Sequence, residues 1–391
     1  MAANESKRIR LGMIGGGEGA FIGAVHRIAA RLDDRYEFVA GALSATPDKA
    51  RRSGAALGLA PERSYADFDA MLAAETARPD GIEAVAIVTP NHVHAPAALA
   101  CLKAGLHVIC DKPLTTTLTD ALTLRAAASA ANRIFAVTYN YSGYPMVRHA
   151  RDMIASGGIG DVRLVQVQYA QDWLTEALEA TGQKQAGWRT DPARSGEGGC
   201  IGDIGTHAWQ LAHFVTGMAP QSLLAELSTF VAGRRVDDNA QILLRYGNGA
   251  RGALWASQVA PGNENDLALR IYGARGGIAW RQEHPDRLLW TPLGEPTRIV
   301  TRGTKAVNAG GARVTRIPAG HPEGYLEAFA TIYAEVAAAI IARRSGAAAD
   351  GAVLYPGIDD GVAGVAFVEA AIRSSRAGGV WMPLDNPAPA A

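Results

Sequence analysis

An acid and an imidazole lie four residues apart in this sequence, directly after a glycine-rich stretch. The segment reads Gly198-Gly199-Cys200-Ile201-Gly202-Asp203-Ile204-Gly205-Thr206-His207. If a helix begins near Gly202, Asp203 and His207 lie one turn apart on the same helix face. A carboxylate in that position can fix the orientation of the ring, and an oriented imidazole can transfer a proton near neutral pH. The spacing therefore predicts acid–base chemistry at this pair.

A second candidate for catalysis is the lysine of Asp111-Lys112-Pro113. An ammonium group beside a reacting hydroxyl can donate a hydrogen bond to the oxygen and stabilise the negative charge that develops there. After His207, Lys112 is also a candidate for the group that transfers the hydroxyl proton. Each residue has a simpler explanation when it is taken singly. A lysine before proline is often a surface charge, an aspartate at a helix start is often an N-cap, and a histidine within a helix is often structural.

A glycine-rich turn near the start of the chain predicts a dinucleotide site. It reads Gly15-Gly16-Gly17-Glu18-Gly19-Ala20-Phe21-Ile22-Gly23 and follows the first apolar run. Glycine permits a tight turn and a close approach of the backbone to a pyrophosphate, which the helix N-terminus then attracts. In strict GxGxxG spacing the third position is Ala20; either alanine is tolerated there, or three residues are inserted and Gly23 takes the third role. The residues predicted to bind the cofactor here are Gly15, Gly17, Glu18, Gly19, Ala20 and Phe21.

The residues after the second apolar run decide how the adenosine ribose is bound. NAD sites usually carry an Asp or Glu at this position, whereas this chain has Leu43-Ser44-Ala45-Thr46. Ser44, Lys49 and Arg52 are instead predicted to hold a 2′-phosphate, which slightly favours NADP over NAD as the cofactor. The alternative is that Lys49 and Arg52 are solvated charges on a helix.

A polar loop follows the third apolar run and reads Thr89-Pro90-Asn91-His92-Val93-His94. Loops at the carboxyl ends of parallel strands face the ligand crevice. Thr89, Pro90, Asn91 and His94 are therefore predicted to lie at the cofactor, with Asn91 and His94 near the ribose or the substrate. Two histidines separated by one residue lack a third ligand, so we expect no metal site.

Short apolar runs alternate with helical patterns over residues 8–140. The runs are Ile9–Ile14, Phe38–Leu43, Ala84–Val88, His107–Cys110 and Ile134–Thr138. Because these runs are continuously apolar and helices lie between them, they predict a doubly wound parallel sheet that is covered on both faces.

The pattern changes after about residue 145. Longer runs that alternate apolar and polar residues, separated by glycine turns, predict a mostly antiparallel sheet. The runs are Val162–Tyr169, Ser222–Val231, Ala240–Arg245, Ala250–Val259, Leu267–Tyr272 and Gly277–Gln282. Two long helices are predicted at Gly324–Arg343 and Gly361–Arg373. We therefore divide the chain into an α/β domain over residues 1–145 and an α+β domain over residues 146–391.

The bulk composition limits the class of protein. The chain has 391 residues, of which 48% are hydrophobic and 19% charged, so a large core is expected and disorder is not. With 38 Lys+Arg and 38 Asp+Glu the formal net charge is zero, which argues against a nucleic-acid partner or a polybasic membrane contact. The start, Met1–Arg10, lacks the apolar core of a signal peptide, and no stretch is apolar for long enough to span a membrane. A cytoplasmic protein is expected.

Taken in chain order, four motifs resemble those of the glucose–fructose oxidoreductase / inositol 2-dehydrogenase / MocA family. They are Ile14-Gly15-x-Gly17, Thr89-Pro90-Asn91-x-x-His94, Asp111-Lys112-Pro113-Leu114 and Gly202-Asp203-Ile204-Gly205-Thr206-His207. The resemblance covers nearly the whole chain. It implies an N-terminal Rossmann domain that binds NAD or NADP and a C-terminal α+β domain with an open sheet. It also implies a substrate site between the two domains and a homodimer or homotetramer.

Individual residues extend the resemblance. Ser44 followed by Lys49 is similar to the NADP-binding pattern of glucose–fructose oxidoreductase, and Asp111 keeps the charge of the glutamate that usually stands there in the family. The glycine loop is longer than in the family's pattern. This difference leaves the individual pyrophosphate contacts undecided, but it does not affect the assignment of the Rossmann domain. The residues that match the family's lysine, aspartate and histidine at the substrate are Lys112, Asp203 and His207.

The reaction expected from the resemblance is oxidation of a secondary alcohol on a sugar, sugar derivative or cyclitol, or its reverse, with hydride moving between substrate and nicotinamide. His207 is the expected base, Asp203 would hold the ring or an adjacent hydroxyl, and Lys112 would hold the reacting oxygen. An alternative is a glycosidase or lyase that retains its cofactor and oxidises the sugar only transiently. A non-catalytic nucleotide sensor is a third possibility, which the three intact residues disfavour.

Polar and aromatic residues outside the motifs are further candidates. Aromatic rings stack on sugar faces, while Asp, Asn and Arg bind hydroxyls or anions. Core packing or domain-interface structure is the alternative explanation for each. The candidates are Tyr141, Asp172, Trp173, Trp188 and Arg189 for the substrate, with Asp111 and Asn140 for the cofactor.

Overall fold

The first apolar runs pair into a parallel sheet. The computed structural model describes residues 8–348 and 350–384. The strands are β1 Ile9–Gly15, β2 Tyr36–Ala42, β3 Ala84–Val88, β4 His107–Cys110 and β5 Phe135–Val137, in the order β2-β1-β3-β4-β5. The helices between them are α1 Phe21–Leu32, α2 Pro47–Ala56, α3 Phe68–Thr76, α4 His94–Lys103 and α5 Leu118–Ala131. All of β3 is buried because helices cover both faces. The predicted doubly wound sheet is confirmed.

The rest of the described chain forms a larger sheet. Its strands are β6 Val162–Ala170, β7 Pro220–Ser228, β8 Asn239–Tyr246, β9 Arg251–Ser257, β10 Asp266–Gly273, β11 Gly276–Arg281, β12 Arg287–Pro292, β13 Arg298–Thr301 and β14 Met382–Pro383. Their order is β13-β12-β11-β10-β6-β9-β8-β7-β14, and within the described residues only β6 and β9 pair in parallel. The predicted, mostly antiparallel sheet is confirmed, although the sequence pattern did not predict β12 or β13.

Helices α6 and α9 pack on one face of this sheet, and shorter helices lie in its connections. The helices are α6 Pro145–Ala155, α7 Lys184–Arg189, α8 Pro192–Ser195, α9 Thr206–Thr216 and α10 Ala309–Arg313. The opposite face is open, as the alternation of exposed and buried residues along β8 indicates.

The last two helices, α11 Tyr325–Ser345 and α12 Ile358–Arg376, return to the parallel sheet. In α11 the Tyr333 hydroxyl lies 2.8 Å from His26 Nδ1, and the Tyr333 carbonyl accepts a 3.0 Å hydrogen bond from the Tyr36 hydroxyl. Both predicted long helices are present. A domain boundary at residue 145 stays a prediction, because α11 completes the core of the earlier sheet; the outer ends, residues 1–7 and 385–391, lie outside the described ranges.

Among the described helices, α11 is long and apolar enough to cross a membrane. However, 61% of its most apolar stretch is buried inside the protein, as in the core helix of a globular protein.

A buried ion pair joins α6 to α11. The Nη1 and Nη2 atoms of Arg148 donate to the two carboxylate oxygens of Glu335 at 3.1 and 2.9 Å, and both side chains are 2% exposed. Arg313 contacts the same carboxylate from α10. Burial lowers the pKa of Arg148, and the charge of Glu335 opposes that shift. Each buried charge is therefore tolerated only because the other is present.

Replacing Glu335 leaves the Arg148 guanidinium buried without its counterion. We expect Glu335→Ala to lower the free energy of unfolding by about 3–5 kcal/mol, the range for breaking a buried pair. Glu197→Ala is the matched control, because Glu197 and its partner Arg376 are 64% and 65% exposed, and exposed pairs contribute about 0–1 kcal/mol. Urea denaturation followed by circular dichroism measures both variants. Equal decreases in the free energy of unfolding for the two variants would show that the buried pair contributes no more to stability than the exposed pair.

Candidate active site

The catalytic candidates meet between the loop after β4 and the start of α9. Lys112 follows β4, and its peptide bond to Pro113 is cis. The Lys112 ammonium donates to Asp203 Oδ1 at 2.9 Å and to the Asp203 carbonyl. The other carboxylate oxygen of Asp203 accepts a 2.9 Å hydrogen bond from Gln258 Nε2 and lies 3.3 Å from Arg189 Nε. An ion pair therefore joins the parallel sheet to the later part of the chain.

The neighbours of Asp203 fix its charge. Burial opposes ionisation of this carboxyl group, but the positive charges of Lys112 and Arg189 outweigh burial and hold the pKa of Asp203 well below its usual range. The carboxylate is therefore ionised at neutral pH. It balances the charge of Lys112 and does not itself take up a proton.

A turn of π-helix over Ile201–Gly205 carries Asp203 to this position and runs directly into α9. Such turns recur at functional sites. The Asp237 carboxylate anchors the start of the turn, because it accepts hydrogen bonds from the N–H groups of Gly199 at 2.7 Å and Ile201 at 2.8 Å. Burial raises the pKa of Asp237 to about 6. The sequence motif around Asp203 did not predict a role for Asp237, because Asp237 lies on a different segment of the chain.

Asp203 was expected to hold either the imidazole of His207 or an adjacent hydroxyl, and within the described residues no hydrogen bond joins Asp203 to His207. Instead the rings of Tyr139 and Tyr141 stand nearly perpendicular to the imidazole, with centroid distances of 5.8 and 4.9 Å. The Nδ1 atom of His207 is buried and has no hydrogen-bond partner in the described part of the chain. Nε2 is therefore the ring nitrogen available to a ligand.

The imidazole of His207 is held in its neutral form. Burial lowers the pKa of His207 well below the usual 6.5, and the charge of Lys112 lowers it further, against the opposing effect of Asp203. A neutral imidazole is the form that accepts a proton.

His207 borders a cavity of about 340 Å³, which we call the tyrosine cavity. In its lining the hydroxyls of Tyr141 and Tyr169 are hydrogen-bonded to each other, and Tyr169 donates to Asn265 Oδ1 at 2.8 Å. No sequence motif indicated Tyr169, Gln183 or Gln185, which also line this cavity. Its lining residues include Phe21, Asp111, Lys112, Asn140, Tyr141, Tyr169, Gln171, Trp173, Gln183, Gln185, Arg189, Asp203 and His207.

A second cavity, of about 490 Å³, adjoins the first; we call it the glycine-turn cavity. Lys112, Arg189 and Asp203 line both cavities, so these three residues lie at the boundary between them. The residues predicted at the cofactor that line it are Gly15, Glu18, Ala20, Phe21, Ser44, Lys49, Thr89, Pro90, Asn91, Asp111 and Lys112.

The glycine turn is shaped for a phosphate group. Gly15 and Gly16 have φ values of 82° and 74°, and a Cβ on Gly23 would lie only 2.3 Å from the Gly16 carbonyl oxygen, so α1 packs directly on the turn. Gly23 therefore takes the close-packing role, while Ala20 is the N-cap of α1. Neither a capping side chain nor a first-turn acid occupies this helix end in the described chain. A dinucleotide pyrophosphate therefore fits here.

The far end of the glycine-turn cavity carries Ser44 and Lys49. Ser44 Oγ accepts a 3.1 Å hydrogen bond from the Thr46 N–H. Arg52, predicted beside them, lines neither cavity, and its guanidinium lies 3.9 Å from the Glu18 carboxylate.

Two residues that were predicted to contact a ligand instead hold loops in position. His94 is fully buried, and its ring nitrogens lie 2.8 Å from the Pro113 carbonyl and 3.0 Å from the Thr89 carbonyl. It thus ties the loop after β3 to the loop that carries Lys112. Asn91 lines the glycine-turn cavity, but its amide donates a 2.9 Å hydrogen bond to the Ser195 carbonyl.

The remaining candidates divide between the cavities. Asp111 lines both, and its Oδ1 accepts a 2.7 Å hydrogen bond from Thr138 Oγ1. Trp188, predicted at the substrate, lines the glycine-turn cavity, and Asp172 lines neither. Gly17 and Gly19 shape the turn through their backbone without lining either cavity.

Both halves of the chain match known family models. Residues 9–139 match an oxidoreductase family described as an NAD-binding Rossmann fold, and residues 147–279 match the GFO/IDH/MocA C-terminal domain.

Three similar proteins extend over almost the full length. An oxidoreductase from Sinorhizobium meliloti of known crystal structure is 56% identical, with a TM-score of 0.88 and coverage of 96% of this chain and 99% of that chain. An inositol dehydrogenase homologue from Azotobacter vinelandii, solved with NADH and myo-inositol, is 38% identical, with a TM-score of 0.90 and coverage of 97% and 98%. Levoglucosan dehydrogenase from Pseudarthrobacter phenanthrenivorans is 29% identical, with coverage of 97% and 98%.

The surroundings of His207 predict how its ring titrates. In protein labelled with ¹⁵N-histidine, NMR should show the pKa of His207 below 6.5, because burial and Lys112 both oppose protonation. Lys112→Ala removes one positive charge, so the pKa of His207 should rise. Lys305→Ala removes an exposed lysine outside both cavities and should leave that pKa unchanged. A His207→Gln spectrum assigns the resonance, and a ring protonated at pH 7 would contradict the prediction.

Proposed function

Because the chain belongs to the GFO/IDH/MocA family of NAD-binding oxidoreductases, we propose that it is an NAD(P)-dependent dehydrogenase that oxidises a secondary alcohol of a sugar, sugar derivative or cyclitol. The observation that carries the proposal is the Lys112–Asp203 ion pair beside a neutral His207, where the glycine-turn cavity meets the tyrosine cavity. One similar protein was solved with myo-inositol, a cyclitol, and another is named for levoglucosan, a sugar derivative.

The residues of the glycine-turn cavity would hold the dinucleotide. Its pyrophosphate would lie at the N-terminus of α1, and Phe21, Asp111 and Lys112, which line both cavities, would surround the nicotinamide. Phe21 is 68% exposed and offers an apolar ring surface there. When bound, the nicotinamide supplies the hydride chemistry.

Lys112 would bind the reacting hydroxyl. An ammonium group has three donors, and within the described residues two of them go to Asp203. The third would donate to the substrate oxygen and stabilise the negative charge that develops as hydride leaves. Because Asp203 stays ionised, it holds the ammonium in one place.

His207 would accept the hydroxyl proton at Nε2. Its depressed pKa keeps the ring neutral and ready to accept a proton before the substrate arrives. In the reverse direction the same nitrogen would return the proton to the alkoxide oxygen.

The wall of the tyrosine cavity supports a neutral, hydroxyl-rich substrate. Among the described residues its charged groups are two acids and two bases, which cancel: Asp111, Asp203, Lys112 and Arg189. Amide and phenol groups supply further donors and acceptors, and the amide nitrogen of Asn140 is buried with no partner among the residues described. Trp173 adds a ring face against which a sugar can stack.

The far end of the glycine-turn cavity supports the use of NADP as well as NAD. No acid lies in Leu43–Thr46 to bind a ribose 2′-hydroxyl, whereas Ser44 and Lys49 line the wall. The inositol dehydrogenase homologue was solved with NADH. We therefore keep NAD or NADP as the proposed cofactor, with NADP slightly favoured by Ser44 and Lys49.

The open face of the nine-stranded sheet supports a homodimer or a larger assembly built from it. Leu164, Leu243 and Tyr272 are 48%, 49% and 40% exposed on this face. A second copy would remove this apolar surface from water.

A panel of sugars, cyclitols and glycosides with NAD and NADP tests the reaction. We expect reduced nicotinamide to accumulate, measured by absorbance, and mass spectrometry to show a product that has lost two hydrogens. Cleavage of a glycoside without net absorbance change would favour the cofactor-retaining glycosidase or lyase instead. Failure of the protein to bind either cofactor would contradict the proposal.

Lys112→Ala tests the assigned chemistry. Loss of one donor to the developing negative charge should lower kcat by about 10²–10³-fold, measured with the best substrate of the panel. Lys305→Ala, which removes an exposed lysine elsewhere, should retain the parental kcat. Full turnover by Lys112→Ala would contradict the role of the ammonium group.

A further inference from the structure

Three cations face the glycine-turn cavity without a carboxylate partner in the described part of the chain. Lys49 comes from α2, whereas Lys184 and Arg194 come from α7 and α8. The Lys184 ammonium makes a single, long hydrogen bond within the described residues, 3.4 Å to the Gly19 carbonyl in the glycine turn. The cations therefore approach the cavity from both parts of the chain.

Lys49 and Arg194 lie close enough to Lys184 for their charges to repel its ammonium group. Burial and then the charges of Lys49 and Arg194 lower the pKa of Lys184, and Glu18 opposes that shift. The Glu18 carboxylate also lies 3.9 Å from the guanidinium group of Arg52, so its charge is divided between Lys184 and Arg52. Of the other acids that line the cavity, Asp111 and Asp203 lie beside Lys112, and Asp67 Oδ1 accepts a hydrogen bond from the Ala70 N–H as the N-cap of α3. The cavity end thus carries an excess of positive charge, which suits an anion.

We propose that Lys184 and Arg194 bind a phosphate group of the dinucleotide opposite Lys49, so that the cofactor is clamped between the two parts of the chain. This inference rests on the proposed function, because the anion is part of bound NAD or NADP. The phosphate belongs to the pyrophosphate, which both cofactors carry, or to the 2′-phosphate of NADP. The position of Lys184 above Gly19 favours the pyrophosphate.

The segment that carries these cations also shapes the substrate site. Between Lys184 and Arg194 lie Trp188, on the wall of the glycine-turn cavity, and Arg189, which lines both cavities and lies 3.3 Å from the Asp203 carboxylate. A phosphate that fixes the segment therefore also fixes Arg189 beside the substrate.

Binding titrations with single and double variants test the clamp. We expect Lys184→Ala and Arg194→Ala each to raise the Kd of the reduced cofactor about tenfold, the loss typical of one charge-assisted hydrogen bond. The double variant should lose more affinity than either single variant, and its Kd should depend less on salt concentration than that of the parental protein. Fluorescence of bound NADH and NADPH measures the binding. Lys305→Ala is the control for charge loss, and Lys184→Arg should keep most of the affinity.

The two cofactors separate the possible sources of the phosphate. Equal losses for NADH and NADPH assign the cations to the pyrophosphate, and losses confined to NADPH assign them to the 2′-phosphate. Parental Kd values for both cofactors in the double variant would overturn the clamp while leaving the dehydrogenase proposal intact. Absence of binding by the parental protein would overturn both.

Discussion

The ion pair between Lys112 and Asp203 is the contact on which the rest of the site depends. It joins the loop after β4 to the π-turn before α9, and the same carboxylate also receives Gln258 from the end of β9 and Arg189 from α7. A buried charge is tolerated only when its oxygens are paired in this way. Four separate segments are consequently held at fixed positions around one carboxylate.

Two neighbouring groups are driven into opposite electrostatic states. Asp203 stays ionised because cations surround it, whereas His207 stays neutral because it is buried among aromatic rings and faces the same lysine. Environments that push the pKa values of neighbouring groups apart are how a protein assigns acid and base roles. The roles follow from the surroundings more than from the four-residue spacing.

Much of the frame was predictable, because it follows from local pattern. Continuous apolar runs predicted the parallel sheet, and the glycine turn after β1 predicted the cavity beside it. The relation of Asp203 to His207 was not predictable from spacing, since a π-turn replaces the expected α-helical turn. Asp237, Gln258 and Lys184 were missed for a different reason: each acts through a partner on a distant segment, and nothing in its own neighbourhood marks it.

The return of α11 to the parallel sheet bears on how the chain folds as it is made. His26 on α1 finds its partner Tyr333 only 307 residues later. At about 5–20 residues per second, that delay lasts roughly 15 seconds or more. During this time the α1 side of the sheet lacks the helix that covers it, and the growing chain presents apolar surface to solvent and to chaperones. A nascent chain stopped before α11 would therefore be an unfinished nucleotide-binding unit, prone to aggregate rather than to bind its cofactor.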